Sequence, residues 1–340
     1  MPTDLAFAFD PVLRLTDTAS VRVETVALAI VMFVGLLLVA RAASATPLPG
    51  LRLDDLVFMV VGAVPGAIVG GRLGYVLDHL DFYRANPSAI FDPAQGALSL
   101  TLAVPLGILT GSIVARLLAA PVGRWLRVLA LPLLFTLAAG KLVGVLGGSG
   151  QGAPADVPWA TSYAGPGPWG SLAADVPSHP SQVYEALLIG LVALVIPIVS
   201  RTGRMSRRSG AVFFLALGLW AVARFVVGFT WRDAVVVGPL RMEQVLLGAV
   251  VAIALVGLAV CLRSTRERQA GPGSESSVEP APKGGNPEPG EDPGRGVGHD
   301  ASNEAGHDAS NEAGNEADSE AGVEAGDEAV SGNDLRADPA

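Results

Sequence analysis

Seven runs of apolar residues, each long enough to cross a bilayer, constrain this chain more than any other feature. A spanning helix needs about 20 mostly apolar residues, and candidates lie near residues 25–43, 56–76, 98–119, 126–147, 183–200, 210–230 and 242–262. In hydrocarbon the backbone polar groups must be satisfied within the segment, so such runs fold as helices. Pro65, Gly66, Pro105, Gly107 and Gly140 fall inside the runs. They would weaken helices in water, but packed membrane helices tolerate them and small residues permit close contact. The expected fold is an all-α integral membrane domain over residues 1–264.

Residues 265–340 are different material. Of the 32 acidic residues 17 lie after Arg268, against three basic ones, which leaves 15 acidic and 20 basic residues before it. The mean hydropathy of +0.46 and the net charge of −9 therefore average two unlike parts. The sequence Gly-His-Asp-Ala-Ser-Asn-Glu-Ala occurs at 298–305 and again at 306–313. A segment this polar cannot bury a core, so 265–340 is expected to be a disordered, acidic, low-complexity tail. The single cysteine, Cys261, excludes an internal disulfide and any multi-cysteine metal site. His299 and His307 belong to the repeat and are not taken as ligands, so no metal and no cofactor is expected, nor a nucleic-acid partner. The segment before the first run is acidic and lacks a basic n-region, so it does not read as a cleavable signal peptide.

Lys and Arg set the expected orientation. The first, third and fifth connections and the start of the tail carry twelve arginines, among them Arg41, Arg116, Arg204 and Arg263. The N-terminal segment and the remaining connections carry five: Arg14, Arg22, Arg84, Arg232 and Arg241. The N-terminus should face outward and the C-terminus the cytoplasm, in keeping with an odd number of spans. The connection 148–182 has no Lys or Arg and is rich in Gly and Pro; its Trp159, Tyr163 and Trp169 suit an interfacial belt.

Ionisable groups inside a bilayer are costly and mark function by default. Five fall at one depth in the runs: Arg72, Lys141, Glu185, Arg224 and Glu243. All lie in the expected outer half and together describe an outward-facing polar cavity with fixed positive charge, suited to an anionic head group. The fifth run opens with His179-Pro180-Ser181-Gln182-Val183-Tyr184-Glu185, where proline fits the first turn of a helix. His179, if chemical, is a base near neutral pH; otherwise it anchors the loop where the helix begins.

That heptapeptide resembles the signature of the prolipoprotein diacylglyceryl transferases, seven-span bacterial enzymes. The resemblance extends over roughly residues 9–262. It includes Phe9-Asp10-Pro11-Val12, Gly70-Gly71-Arg72-Leu73-Gly74-Tyr75-Val76-Leu77, Gly140-Lys141-Leu142-Val143-Gly144 through Gly152, Arg224-Phe225, and Met242-Glu243-Gln244. The resemblance implies transfer of the diacylglyceryl group of phosphatidylglycerol to the lipobox cysteine of a prolipoprotein, with glycerol phosphate as leaving group. The implied partners are phosphatidylglycerol, the signal-peptide helix of the prolipoprotein and membrane lipids. The implied location is the bacterial inner (plasma) membrane, with the site toward the outer leaflet and the tail in the cytoplasm. On this reading Lys141, Arg224 and Arg72 bind the lipid phosphate, with Arg224 the strongest ligand. His179, Tyr184 and Glu185 are the catalytic candidates, and Gln182, Glu243 and Gln244 support them.

The chain departs from the family pattern at five places. Lysine stands for arginine at Lys141, glycine for asparagine at Gly144, and serine for an acidic residue at Ser149. The third-span His-Gly-Gly is replaced within Leu98-Ser99-Leu100-Thr101-Leu102-Ala103, and the glutamate four residues after the sixth-span arginine is Gly228. A second reading of the same residues is therefore a member that has lost catalysis and acts as a lipid-binding or accessory membrane protein. A transporter would call for inverted symmetry between halves, which the sequence does not display.

Overall fold

Each apolar run becomes one helix in the computed structural model, which describes residues 5–16, 18–46, 50–92, 97–201 and 210–269, with side chains as far as residue 263. The chain opens with β1 (Leu5–Phe7), β2 (Val12–Arg14) and β3 (Ser20–Arg22). Then come α1 (Val23–Ala45), α2 (Leu53–Asp78), the short α3 (Leu80–Ala85), a 3-10 turn (Pro87–Phe91), α4 (Leu100–Leu117) and α5 (Val122–Gly147). β4 (Thr161–Tyr163) lies in the long connection before α6 (Ser181–Ser200) and α7 (Ala211–Val227). A second 3-10 turn (Gly228–Thr230), β5 (Val235–Val237), β6 (Leu240–Arg241) and α8 (Met242–Gln269) complete the order. Among the described residues seven helices are long and apolar enough to span a membrane. Their ends agree with the expected runs to within a few residues, apart from α8, which continues to Gln269. The tail expected over 265–340 lies, from residue 270 on, outside the described residues.

The all-α expectation holds for the spans, and short strands form outside them. Three strand pairs form among the described residues: β1 with β4 in parallel, and the antiparallel pairs β2–β3 and β5–β6. All lie outside the spanning helices, in segments whose backbone groups have no helical partner and must find another. The same demand gives the 148–180 connection a fixed course. Gly152 N–H donates to His179 O at 2.8 Å, Ala153 N–H to Thr230 O at 2.8 Å, and Thr161 N–H to Ser178 O at 2.9 Å.

Burial concentrates where α5, α6, α7 and α8 meet, around Leu134, Ile189, Ile196, Phe213, Trp220, Leu247 and Val250. Elsewhere large apolar side chains point outward, as Ile30, Phe33, Phe58 and Leu255 do. Such a surface suits lipid, in which helix association rests on packing rather than on water exclusion. α2 and α4 make the closest helix pair, and a Cβ at Gly70 would overlap the Leu102 carbonyl oxygen. The polar residues of interest gather at one end of the bundle. It is formed by the starts of α1, α4, α6 and α8 and the ends of α2, α5 and α7.

Candidate active site

Arg224, in the last turn of α7, is 5% exposed and lies between two carboxylates. Its Nη1 donates to Glu185 Oε1, while Nη2 and Nε donate to Glu243 Oε1, the latter at 3.1 Å. The Thr101 hydroxyl donates to the same Glu243 oxygen, and Arg224 Nε lies 3.3 Å from Thr101 Oγ1. The Trp231 ring faces the guanidinium, 4.9 Å from Cζ to centroid, a cation–π contact. The second oxygen of Glu185 pairs with Lys141 Nζ at 3.0 Å. A continuous chain of charge thus runs Glu243–Arg224–Glu185–Lys141 across α8, α7, α6 and α5. Glu243 sits in the first turn of α8, where the helix dipole favours an anion. None of these groups could be buried alone, because an unpaired interior charge is far more costly than a paired one.

Two expectations change here. The cavity does not carry fixed positive charge, because two cations face two carboxylates and the cluster is balanced. Arg72, counted with these groups from the sequence, makes hydrogen bonds to another segment. Its Nε donates to Ile90 O at 2.8 Å and its Nη2 to Ala89 O at 2.6 Å and Asp92 O at 3.0 Å, with Cζ 5.3 Å from the Tyr83 ring centre. Five donors in a planar fork suit a cluster of backbone carbonyls, so Arg72 fastens the end of α2 to the 3-10 turn. Of the two cations in the cluster Lys141 is the more accessible, with its side chain 22% exposed against 7% for Arg224.

The heptapeptide divides between two groups. Glu185 joins the ionic chain, whereas His179 Nδ1 lies 3.4 Å from the Tyr184 hydroxyl, which also accepts from Trp159 Nε1 at 2.5 Å. Gln182, buried on α6, donates through Nε2 to the Tyr163 hydroxyl at 3.0 Å. Tyr163 stacks on Phe7 and packs against Trp169, and burial pushes its phenol up to about 12; the charge of Glu24 acts in the same direction and the Gln182 bond against it. Gln244 accepts from Arg241 N–H at 2.9 Å and donates to Phe225 O at 3.0 Å, holding α8 to α7 beside Arg224.

The departures from the family pattern acquire a physical reading. A Cβ at Gly228 would come within 2.7 Å of Gln244 Cγ, so the room beside residue 228 is already filled. The carboxylate facing Arg224 comes instead from the adjacent Glu243. The third span, without histidine, contributes the Thr101 hydroxyl to the same pair. Ser149 Oγ donates at 2.9 Å to Glu24, which brings a carboxylate from α1 to that position.

Thr101, Trp231, Glu24, Asp78 and Arg232 escaped the sequence reading. Thr101 and Trp231 are ordinary residues in an apolar run and a turn. Glu24 stands just before the expected first span. Asp78, two residues beyond the expected second span, is the last residue of α2, and its carboxylate accepts from the Glu243 backbone N–H. Arg232, counted only for orientation, donates to Gly152 O and to Ser178 Oγ, the latter at 2.6 Å, and so ties the long connection to the end of α7. The one available signal for Glu24 and Asp78 was an acidic residue abutting an apolar run.

The profile of the prolipoprotein diacylglyceryl transferase family matches residues 11–260. Among relatives, the phosphatidylglycerol–prolipoprotein diacylglyceryl transferase of Geobacter sulfurreducens is 32% identical over 228 residues, 62% of this chain and 78% of its own. The protein of that name from Nitratidesulfovibrio vulgaris is 34% identical over 220 residues, covering 62% and 76%. The one from Pseudomonas paraeruginosa is 32% identical over 241 residues, covering 65% and 80%. Seven apolar helices, the buried ionic chain that crosses four of them and the match over residues 11–260 agree: the chain belongs to the prolipoprotein diacylglyceryl transferase family.

Proposed function

We propose that this chain moves the diacylglyceryl group of phosphatidylglycerol onto the lipobox cysteine thiol of a prolipoprotein, forming a thioether and releasing glycerol phosphate. The observation that carries this reading is the Lys141–Glu185–Arg224–Glu243 chain, in which the cation at the accessible end is the lysine. A phosphodiester approaching the cluster meets Lys141 first. Arg224, fixed by both carboxylates and by Trp231, lies behind it as a pre-set positive charge. Preorganised donors of this kind stabilise charge that develops on a leaving group.

An apolar groove lies between α4, α5, α7 and α8. It is lined by Leu106, Leu109, Ile113, Phe213, Phe214 and Ile253, and its volume is about 550 Å³. Its lining also includes Arg116, Gly123, Gly210 and Cys261, so it sits toward the opposite end of the bundle from the ionic cluster. The Lys/Arg asymmetry supports an inner-membrane protein with its N-terminus outside, its C-terminus cytoplasmic and the cluster toward the outer leaflet.

Incubating the purified chain with phosphatidylglycerol and a lipobox peptide tests the reaction. The expected product is a peptide heavier by one diacylglyceryl group, with equimolar glycerol phosphate. Phosphatidylglycerol binding without product would favour the lipid-binding, accessory reading instead. Reporter fusions at the two termini test the orientation.

A further inference from the structure

We propose that Glu24 is the general base that takes the thiol proton, a role that rests on the transferase reading above. Glu24 lies in the first turn of α1 with its side chain 14% exposed. Its Oε2 accepts from Ser149 Oγ at 2.9 Å and lies 3.4 Å from Arg22 Nη2. A Cβ at Gly147 would overlap that oxygen, so the glycine makes room for the carboxylate against α5. The charged and titratable groups facing it are Arg22 from β3 and Tyr163 from β4.

The position relative to Lys141 fits the chemistry. Lys141, Gly144 and Gly147 recur every three residues along α5, on a row that slants around the helix from the side facing α6 to the side facing α1. Against them stand, in the same order, Glu185, then Gln182 and Ser149, then Glu24. Six residues of α-helix rise about 9 Å and turn about 120° around the axis, which sets the two positions about 10 Å apart at Cα. A phosphate oxygen held on an ammonium, a near-attack contact of about 3–3.5 Å and a base contact of about 3 Å together bridge a gap of that size. A phosphate on Lys141 therefore leaves the thiol within reach of Glu24.

The other candidates have duties elsewhere. Glu185 and Glu243 hold Arg224, Asp78 accepts from the first turn of α8, Tyr184 is bonded to Trp159, and His179 lies against the Tyr184 hydroxyl rather than along the α5 row. In the reaction the S–H proton passes to a Glu24 oxygen while sulfur forms its bond to the glyceryl carbon. The carbon–oxygen bond to phosphate breaks, and its electron pair leaves with glycerol phosphate beside Lys141. Glu24 then returns the proton to water. Arg22 and Ser149 orient the carboxylate during the transfer.

The test uses the full chain in micelles with phosphatidylglycerol and a lipobox peptide, with single-turnover rate measured across pH and lipid binding measured separately. Glu24→Gln should lower the rate at pH 7 by about 100-fold or more and leave lipid binding within about twofold. Its residual rate should climb about tenfold per pH unit toward the ordinary thiol pKa of about 8.5, while the parent climbs less steeply. Glu24→Asp should retain at least a tenth of the parent rate and its pH profile. A folded Glu24→Gln protein with the parent's rate and profile overturns the assignment, and so does a folded Glu24→Asp protein that is inactive at every pH. A parent chain that binds lipid but forms no thioether overturns the transferase reading itself, which separates the two failures.

Discussion

Lys141 Nζ lies 3.0 Å from Glu185 Oε2 across the contact of α5 with α6, and the other oxygen of Glu185 accepts from Arg224. One carboxylate therefore spaces two cations, keeping both at one depth without bringing them together. Lys141 is the more exposed end of this chain and Arg224 the enclosed one.

Substitutions at Lys141 test the exposed end. Lys141→Ala should weaken phosphatidylglycerol binding by about 10- to 100-fold, the effect of losing a hydrogen bond to a charged group. Lys141→Arg should stay within about threefold of the parent in binding and rate. The lysine end is partly exposed, and a guanidinium offers a bidentate fork to phosphate. Lipid titration and initial rates on both variants decide. A folded Lys141→Arg protein that has lost activity would mean the site is shaped around an ammonium.

Arg224 should behave as a keystone of stability. Arg224→Met leaves Glu243 buried without a cation and Glu185 with Lys141 alone, and breaking such a pair costs about 3–5 kcal/mol. Adding Glu243→Gln to Arg224→Met should recover part of that loss, because one uncompensated charge is removed. Denaturant unfolding in micelles gives the double-mutant cycle. Additive losses would show that the two side chains do not act as a pair.

The helices were legible because each span announces itself as a run of about 20 apolar residues, and the charges within the runs could be placed at one depth. Glu185, Arg224, Lys141 and Glu243 could be grouped for that reason. Their pairing could not. Depth along a helix does not tell which way a side chain points around its axis, so Arg72 counted with the cluster although it turns toward the 3-10 turn. For the same reason the sum of charges looked positive, whereas the two carboxylates face the cations directly. The strand pairs were illegible because strands of two or three residues carry no periodicity. Glu24 and Thr101 entered the site through tertiary contact with residues 125 and 142 positions away.

Arg72 should matter for order rather than for lipid affinity. Arg72→Ala removes the donors to Ala89, Ile90 and Asp92, so amide exchange should rise across residues 87–92. Phosphatidylglycerol affinity should change less than in Lys141→Ala. Hydrogen exchange followed by mass spectrometry, with lipid titration on the same sample, checks both statements. A loss of affinity equal to that of Lys141→Ala would return Arg72 to the phosphate site.

Tyr163 gives a stability prediction with a definite sign. Burial pushes its phenol up to about 12 from an ordinary value of about 10. A group with a raised folded-state pKa stabilises the fold in its protonated form. That contribution is complete below pH 10 and is lost as pH rises from about 10 through 12. Melting temperature in micelles should therefore fall between pH 9 and pH 11 more steeply in the parent than in Tyr163→Phe. The variant keeps the ring between Phe7 and Trp169 but leaves Gln182 Nε2 without its acceptor. It should consequently be less stable at pH 7 by about 1–3 kcal/mol, the usual penalty for a buried donor without a partner. Ionisation of the other three tyrosines acts on both proteins alike and cancels in the comparison. Equal alkaline slopes in parent and variant would show that the buried phenol is not linked to folding.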